Sequence, residues 1–339
     1  MKKFSLVSTI FNEASRLKQS LDEIENQTVT PDEIIIVDAG STDGTIEMLN
    51  EAAKKSKSVI KVIVSKGCNV AQGRNLAIKN SSNDLIVSTD FGCRYDKRWL
   101  ETLVSYFEKD SELQVVGGGF AINESDIDTP AGRADYILQN GYKLKLDDTF
   151  SVSSRSIAYY KSVWEKIGGY HEWLTLAADD TIFWREIKRE GFKYAIDPQP
   201  LVFWNRHKTV KQFAKEAGRY GLGDGEGKIN FRNFISNVVE TALRWSIIPF
   251  LLIFVFLIPL DLKVYFAPIF VLQLFGLRSY LNAVKNMKRI NNPKYGFKNL
   301  PLAFWMIETQ RWAYIKNYIK GWLFKSGKQK DGQSKLLVK

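Results

Sequence analysis

The sequence lacks the motifs of several common enzyme classes. It contains 2 cysteines, Cys68 and Cys93, whose positions match no metal-binding or redox spacing and no disulfide framework. Cys93, close to Asp90, is interpreted as a small packing residue rather than a nucleophile. No Gly-x-Gly-x-x-Gly follows the first predicted strand, and no glycine-rich loop carries a Walker lysine. Dinucleotide-dependent dehydrogenases and P-loop enzymes therefore fit this sequence poorly.

The N-terminus also lacks the pattern of a secretion signal. Its apolar residues begin a strand at once, and Asn12-Glu13 interrupts them before they reach the length of a signal peptide's apolar core. We therefore expect the catalytic part of the chain to stay in the cytoplasm.

Acidic residues are scarce in the last part of the chain. Residues 278–339 carry 14 Lys and Arg against 2 Asp and Glu, so the rest of the chain carries 34 against 35. A net charge of +11 is compatible with nucleic-acid binding. The basic segment, however, directly follows apolar runs, as do the cationic anchors of membrane helices and the basic tails that bind anionic headgroups. We therefore predict membrane association and no nucleic-acid partner.

Long uncharged runs are confined to the region just before this basic segment. Residues 246–260 hold no charge, and a second apolar run covers residues 264–277. Fifteen helical residues span about 22 Å, which is less than the hydrocarbon core of about 30 Å. The region 231–282 is therefore predicted to form either two short transmembrane helices or a half-buried re-entrant pair. Aromatic residues within 283–339 suit a helix at the membrane surface, or packing against the catalytic domain.

The first 200 residues alternate between buried-strand and helix patterns. Runs of apolar and β-branched residues predict strands at 4–11, 33–38, 59–64, 85–89, 114–122, 193–196 and 201–204. Apolar residues at helical spacing lie between most of them. A chain of 339 residues is long enough for one large domain or two. This alternation predicts an α/β fold with a mainly parallel, doubly wound sheet.

Three of the predicted strands end on acidic residues. Asn12-Glu13, Asp38 and Asp90 each follow a strand directly. In an open α/β sheet the ligand crevice lies beyond the carboxyl ends of the strands, so these side chains are expected to share one crevice. Such an acidic crevice suits a cation, and its acceptors suit the N–H groups of a base or the hydroxyls of a ribose.

These motifs resemble those of family 2 glycosyltransferases. The matching segments are VSTIFNE, IIIVDAGSTDGT, Arg74-Asn75 and STDFG, and the resemblance covers roughly residues 4–225. It implies the GT-A fold and inverting transfer from a nucleotide-diphosphate sugar. It further implies that Glu13 and Asp38 line the nucleoside pocket with Arg74 beside it.

The same resemblance implies a divalent cation, Mg²⁺ or Mn²⁺, held by Asp90 as the first Asp of an Asp-x-Asp motif. Gly92 replaces the second Asp, which weakens the predicted metal site. Asp90 and two donor phosphates are still able to share one ion.

Two further segments resemble the family. One corresponds to the stretch before the family's catalytic base, and the other corresponds to the base itself. The Gly168-Gly169 turn is expected beneath the donor sugar, although a plain helix stop at Gly168 explains it equally well. Asp179-Asp180 stands where the family has a Glu-Asp pair whose second residue is the base. By the resemblance Asp180 removes the acceptor proton, and Asp179 positions the helix or a sugar hydroxyl. The alternative is that both carboxylates complement a helix N-terminus.

The glycine-rich run Gly218 to Gly225 predicts a mobile loop. In the family a segment here folds over the donor, and Arg219 would then bind the diphosphate; a simple linker is the alternative. The resulting domain prediction is a GT-A domain over 1–230, a hydrophobic segment over 231–282 and a membrane-proximal tail over 283–339.

The sequence as a whole predicts a membrane-attached glycosyltransferase that acts on a lipid-linked or glycan acceptor. Its catalytic domain is expected on the cytoplasmic side. Two alternatives stay open. One is a sugar-nucleotide pyrophosphorylase, and the other is a non-enzymatic protein that binds a membrane surface or nucleic acid.

Overall fold

The computed structural model of the chain describes residues 2–147, 150–175, 177–259 and 263–324. Parts of the predicted hydrophobic segment (260–262) and of the predicted tail (325–339) lie outside the described residues. The chain divides into two compact units. The first comprises residues 1–123 and 144–206, and the second comprises residues 124–143 and 207–339.

The first unit is built on a sheet of eight strands. In spatial order they are β3-β2-β1-β4-β7-β6-β8-β5. Their bounds are β1 Phe4–Ile10, β2 Glu33–Asp38, β3 Val59–Val64, β4 Leu85–Ser88, β5 Arg94–Tyr95, β6 Val115–Ile122, β7 Ile157–Tyr160 and β8 Tyr194–Trp204. The first four strands by sequence are mutually parallel, and β7 is antiparallel to both of its neighbours, β4 and β6. The predicted mainly parallel sheet is confirmed.

Helices cover both faces of this sheet. They are α1 Ala14–Glu25, α2 Thr45–Ala53, α3 Val70–Lys79, α4 Trp99–Lys109, α6 Lys161–Ile167 and α7 Asp179–Arg189. Successive strand residues point to opposite faces. Ile34 and Ile36 accordingly belong to one buried cluster, and Ile35 and Val37 belong to the other. Because both faces are buried, the central strands are mostly apolar, and this is why the sequence pattern identified them.

The second unit is helical. It contains α5 Pro130–Leu138, α8 Val210–Glu226, α9 Phe231–Phe256, α10 Lys263–Leu274, α11 Arg278–Ile290 and α12 Leu300–Phe324. Within the described residues one helix, α9, is long and apolar enough to cross a membrane, with a mean hydropathy of 1.8 over its most apolar window. Only 17% of that window is buried inside the protein.

The prediction of a mobile loop at Gly218–Gly225 is wrong, because these residues form the second half of α8. Gly221 and Gly225 lie against the backbone of α12. A Cβ on Gly221 would collide with the carbonyl oxygen of Tyr314, and one on Gly225 would collide with that of Tyr318. The glycines therefore serve close helix packing, and the contacts they allow outweigh their poor helix propensity.

Replacing Gly221 by alanine tests this packing. In an open helix the change would stabilise the protein by about 1 kcal/mol. Here we expect the free energy of unfolding to fall by about 1–3 kcal/mol, because the added methyl group overpacks the contact with α12. Thermal unfolding of the purified protein measures the effect, with Lys215→Ala on the exposed face of α8 as the control. Stabilisation by Gly221→Ala would contradict the close approach.

Candidate active site

The loops after β1 and β2 interlock at the carboxyl edge of the sheet. The backbone N–H of Asn12 donates to Ser41 Oγ (2.8 Å), and Asn12 Oδ1 accepts from the backbone N–H of Thr42 (2.9 Å). Ala14 donates to Asp43 Oδ2 (3.1 Å). The two acidic strand ends that the sequence predicted to share a crevice are thus held side by side.

Asp38 and Glu13 occupy this edge in different states. Asp38 is fully buried, and its Oδ1 accepts from the backbone of Gly40 (2.8 Å) and Ser41 (2.7 Å). Its Oδ2 has no hydrogen-bond partner within the part of the chain that the structure describes. Burial raises the pKa of Glu13, against the lowering effect of Arg16, and the carboxylates of Asp43 and Asp90 raise it further. Asp38 therefore offers a buried acceptor atom, whereas the carboxyl group of Glu13 holds a proton more readily than usual.

Asp90 follows β4 and lies between two arginines. Arg74 Nη2 donates to its Oδ1 (2.6 Å), and Arg155 Nε donates to its Oδ2 (3.2 Å). Burial raises the pKa of Asp90, but the two guanidinium groups outweigh burial and hold that pKa below its ordinary value. Asp90 is therefore a paired anion, with 30% of its side chain still exposed.

Arg74 connects Asp90 to the start of α7. Its side chain is 4% exposed, and its Nη1 donates to Asp179 Oδ2. The guanidinium carbon also lies 5.5 Å from the centre of the Tyr170 ring. One buried cation thus joins the end of β4, the beginning of α7 and the segment that precedes α7.

The side chain of Asn75, next to Arg74 on α3, fixes the chain before α7. Its Oδ1 accepts from Trp164 Nε1 (2.9 Å) and from the backbone of Tyr170 (2.8 Å). Its Nδ2 donates to the carbonyl of Tyr170 (2.8 Å) and to Glu172 Oε1 (2.8 Å). A Cβ on Gly169 would lie 2.9 Å from Asn75 Oδ1, so this clamp requires glycine there.

The predicted Asp179-Asp180 pair lies at the start of α7, as the sequence indicated. Asp179 is buried, and burial, opposed by Arg74 and assisted by Asp180, raises its pKa to about 6. Asp180 is half-buried, and its Oδ2 accepts from Ser153 Oγ (3.1 Å). Asp179 is therefore committed to Arg74, whereas Asp180 is the more accessible carboxylate of the two.

Sequence reasoning assigned no role to Arg155. Its guanidinium carbon lies 4.4 Å from the centre of the Trp204 ring, and 33% of its side chain is exposed. Its segment packs against β6, where a Cβ on Gly117 or Gly118 would collide with Val152 or Ser156. The available signal was one arginine among serines just ahead of a buried strand, close to a run of three glycines in β6.

The predicted metal site does not fit the residues around Asp90. Each Asp90 oxygen already accepts from a guanidinium group. Gly92, in place of the second Asp, has a φ of +95°, which disfavours any side chain. Within the described ranges no three His, Cys, Asp or Glu side chains are grouped to hold a metal ion. A divalent cation on Asp90 would share its oxygens with two guanidinium groups and would be repelled by both.

The other predicted site residues are distributed as follows. Gly168 ends α6 with a φ of +87°, so the predicted helix stop is confirmed. Arg219 is exposed on α8, in the second unit, whereas the other predicted site residues belong to the first. The structure thus brings together Glu13, Arg74, Asp90, Asp179 and Asp180.

Comparison with known proteins gives the family. Residues 5–168 match glycosyl transferase family 2. The O-antigen chain rhamnosyltransferase RfbN of Salmonella typhimurium is 27% identical over 219 residues, which are 62% of this chain and 68% of that protein. The rhamnosyltransferase WbaN of Salmonella anatum is 26% identical over 222 residues, 62% and 69% of the two chains. Residues 5–168 therefore form a family 2 glycosyltransferase domain, and the chain is a glycosyltransferase that uses a nucleotide-sugar donor.

A solved structure confirms the fold. The mannosyltransferase PcManGT from Pyrobaculum calidifontis, in complex with GDP-Man and Mn²⁺, superposes with a TM-score of 0.54 at 16% identity. The alignment covers 97% of this chain and 88% of that one. The predicted GT-A fold is confirmed, and the pyrophosphorylase and non-enzymatic alternatives do not apply.

Removing the buried cation tests how far the site depends on it. Arg74→Met leaves Asp90 and Asp179 without this partner, and we expect the free energy of unfolding to fall by about 3–5 kcal/mol. Lys79→Met, on the exposed side of the same helix, should change it by less than about 0.5 kcal/mol. Adding Asp179→Asn to Arg74→Met should recover part of the loss, since it removes one unpaired charge. Equal stability of the two single variants would contradict the role of Arg74.

Proposed function

We propose that the chain transfers a sugar, with inversion at the anomeric carbon, from a nucleotide-diphosphate sugar to a membrane-linked lipid or glycan acceptor. The observation that carries this proposal is the contrast between the two carboxylates at the start of α7. Asp179 is buried against Arg74, whereas Asp180 is half-buried and accepts from Ser153 Oγ (3.1 Å) and from the backbone N–H of Thr181 (2.8 Å). This leaves Asp180 as the candidate base.

In the proposed reaction Asp180 takes the proton of the acceptor hydroxyl. The hydroxyl oxygen forms a bond to the anomeric carbon as the bond from that carbon to the donor's β-phosphate oxygen breaks. The nucleoside diphosphate leaves with the bonding electrons. A single displacement on the face opposite the leaving group inverts the configuration, and this geometry requires a base but no enzyme nucleophile. Arg74 and Asp179 hold the base in place.

The donor is proposed to lie over the carboxyl edge of the sheet. Glu13 and the unpartnered Oδ2 of Asp38 would accept hydrogen bonds from the nucleoside. The Gly168-Gly169 turn would lie beneath the sugar, since it adjoins the clamp that leads to α7. Arg219 is proposed to bind the diphosphate.

A divalent cation, Mg²⁺ or Mn²⁺, at Asp90 stays a prediction. The Mn²⁺ in the solved mannosyltransferase supports it. The two arginines on Asp90 count against it, and no step above is routed through a metal ion.

The proposed acceptor follows from the relatives and from the second unit. Two relatives are named as O-antigen chain rhamnosyltransferases, which supports a glycan chain as acceptor. The apolar surface of α9 and α10 supports attachment to a membrane, where lipid-linked acceptors are available. Cytoplasmic exposure of the catalytic unit is part of the same proposal.

The proposed form of membrane attachment depends on the middle of α9. Glu240 and Arg244 are buried in an ion-pair network with Glu308 and Arg311. This network ties Glu240 and Arg244 of α9 to α12, although Phe231, Ile235 and Val239 of the first half stay exposed, at 51%, 40% and 49%. Charged groups are costly in hydrocarbon, so the uncharged residues after Trp245 are the part of α9 best suited to lipid.

Beyond the network, α9 and α10 run side by side as a hairpin. Gln273 Nε2 donates to Ser246 Oγ (2.9 Å), and Arg244 Nη1 donates to the carbonyl of Gly276 (2.6 Å). From Ser246 to Phe256 a helix rises about 15 Å, which is half of the hydrocarbon core. Of the two forms left open by the sequence, this favours the re-entrant pair.

The base is tested by Asp180→Asn. A panel of nucleotide sugars is first scored for nucleotide release, and the best donor is then used for single turnovers. The amide keeps the shape of the side chain and removes its basicity, so donor affinity should persist while transfer falls by about 10²-fold or more. Ser105→Ala, away from this cluster, serves as a control that should leave both unchanged. Transfer by Asp180→Asn at the wild-type rate would show that the base is another residue.

The hairpin is tested by vesicle flotation. The wild type should stay bound to anionic vesicles in 1 M salt, because the Debye length is then about 3 Å and only apolar insertion remains. Leu252→Glu with Phe256→Glu should release it, since both side chains are exposed, at 55% and 76%. Val59→Glu, an equally exposed apolar position in the first unit, is the matched control. Release of the wild type by salt would contradict insertion.

A further inference from the structure

We propose that Arg155, held against Trp204, is an anion site for the donor's diphosphate, and that this guanidinium replaces a divalent cation in stabilising the leaving nucleoside diphosphate. The inference rests on the proposed function, and it names the group that meets the phosphates. An arginine in this role would also explain why the residues around Asp90 fit the predicted metal ion poorly.

Arg155 is fixed in position from three directions. Its Nε donates to Asp90 Oδ2 (3.2 Å), its guanidinium lies over the Trp204 ring, and its carbonyl accepts from Thr89 Oγ1 (2.9 Å). Trp204 is itself stacked on Phe120 with ring centres 3.8 Å apart. A guanidinium stacked on a fixed ring loses little conformational freedom when it binds an anion, so Arg155 is preorganised.

The two cations that pair with Asp90 differ in access. Arg74 is 4% exposed and already shared between two carboxylates, whereas Arg155 is 33% exposed. An arriving diphosphate therefore meets Arg155 first. The planar fork of arginine matches phosphate oxygens, and its bonds to them are charge-assisted.

The surroundings disfavour a metal ion in the same position. A divalent cation on Asp90 would compete with Arg155 for Oδ2 and would be repelled by both guanidinium groups at short range. Gly92 stands in place of the second acidic ligand. Its φ of +95° and its proximity to Glu13 disfavour a larger side chain at this position. An arginine guanidinium in place of a bound metal ion agrees with both the pairing of Asp90 and the presence of Gly92.

In the transfer step Arg155 changes no bond. As the bond from the anomeric carbon to the β-phosphate oxygen breaks, that oxygen gains negative charge, and the guanidinium stabilises it. The acceptor proton still goes to Asp180, and the nucleoside diphosphate leaves with the electron pair. Arg155 should therefore affect the rate of transfer as well as the affinity for the diphosphate.

The experiment compares nucleoside and nucleoside-diphosphate binding in excess chelator. UDP, GDP and dTDP, each beside its nucleoside, are titrated calorimetrically into the full chain in EDTA and then with Mn²⁺. For the base that binds, the wild type should bind the diphosphate more tightly than the nucleoside in EDTA, and should transfer sugar there. This measurement needs no variant and so does not depend on the folding of one.

Arg155→Met should lose about 10- to 100-fold in diphosphate affinity and leave nucleoside affinity unchanged, as expected for one lost charge-assisted contact. Transfer should fall as well, and added methylguanidinium should restore part of it, which a purely structural defect would not show. Arg155→Lys, which keeps the charge, should lie between wild type and Arg155→Met. Arg98→Met, at an exposed arginine of the same unit, should match the wild type.

The possible outcomes distinguish a failure of the role of Arg155 from a failure of the proposed function. Wild-type binding and transfer that vanish in EDTA and return with Mn²⁺, together with an unaffected Arg155→Met, would overturn the role of Arg155 and support a metal at Asp90. Failure of every nucleoside diphosphate to bind in either condition would overturn the proposed function, and this inference with it.

Discussion

The ion pairs of one buried guanidinium organise the catalytic end of this enzyme. Arg74 comes from α3, but its partners Asp90 and Asp179 come from the end of β4 and the start of α7. Without it, two carboxylates would lie close together in a largely dehydrated site, where each would favour the proton-bound state. With it, the pKa of Asp90 is held below its ordinary value, burial raises that of Asp179 to about 6, and the start of α7 is held beside the sheet edge. The position of the candidate base is a consequence of that pairing.

The same pairing changes the electrostatic character of the crevice. A count of carboxylates along the sequence describes an acidic pocket and therefore a cation as its ligand. In the fold, arginines from two distant segments pair with Asp90, and a partly exposed guanidinium lies where a metal was expected. The potential of a site depends on which charges meet, and residue type at strand ends gives only half of that information.

The parts that sequence predicted well are those with local causes. Strands buried on both faces are mostly apolar, and their acidic ends follow directly, so β1, β2 and β4 and the residues after them were predictable. The Arg155–Asp90 contact joins residues 65 positions apart, and the Asn75–Tyr170 contact joins residues 95 apart. No periodicity encodes such pairs. A resemblance supplied Asp180, whereas Arg155, although it lies in the stretch that the resemblance covers, was given no role.

Glycine shows why local composition is an incomplete guide. At Gly92 and Gly169 the backbone adopts a positive φ, and the usual interpretation of glycine as a conformational necessity is right. In α8 the same residue type lies inside a regular helix, because the neighbouring α12 approaches so closely that no Cβ fits. Glycine is therefore found both where the backbone must be flexible and where two helices pack closely. A flexible loop and a closely packed helix can be told apart only if another segment of the chain can form the facing helix, as the aromatic stretch of α12 does here. A glycine-rich segment should therefore be interpreted together with its packing partner.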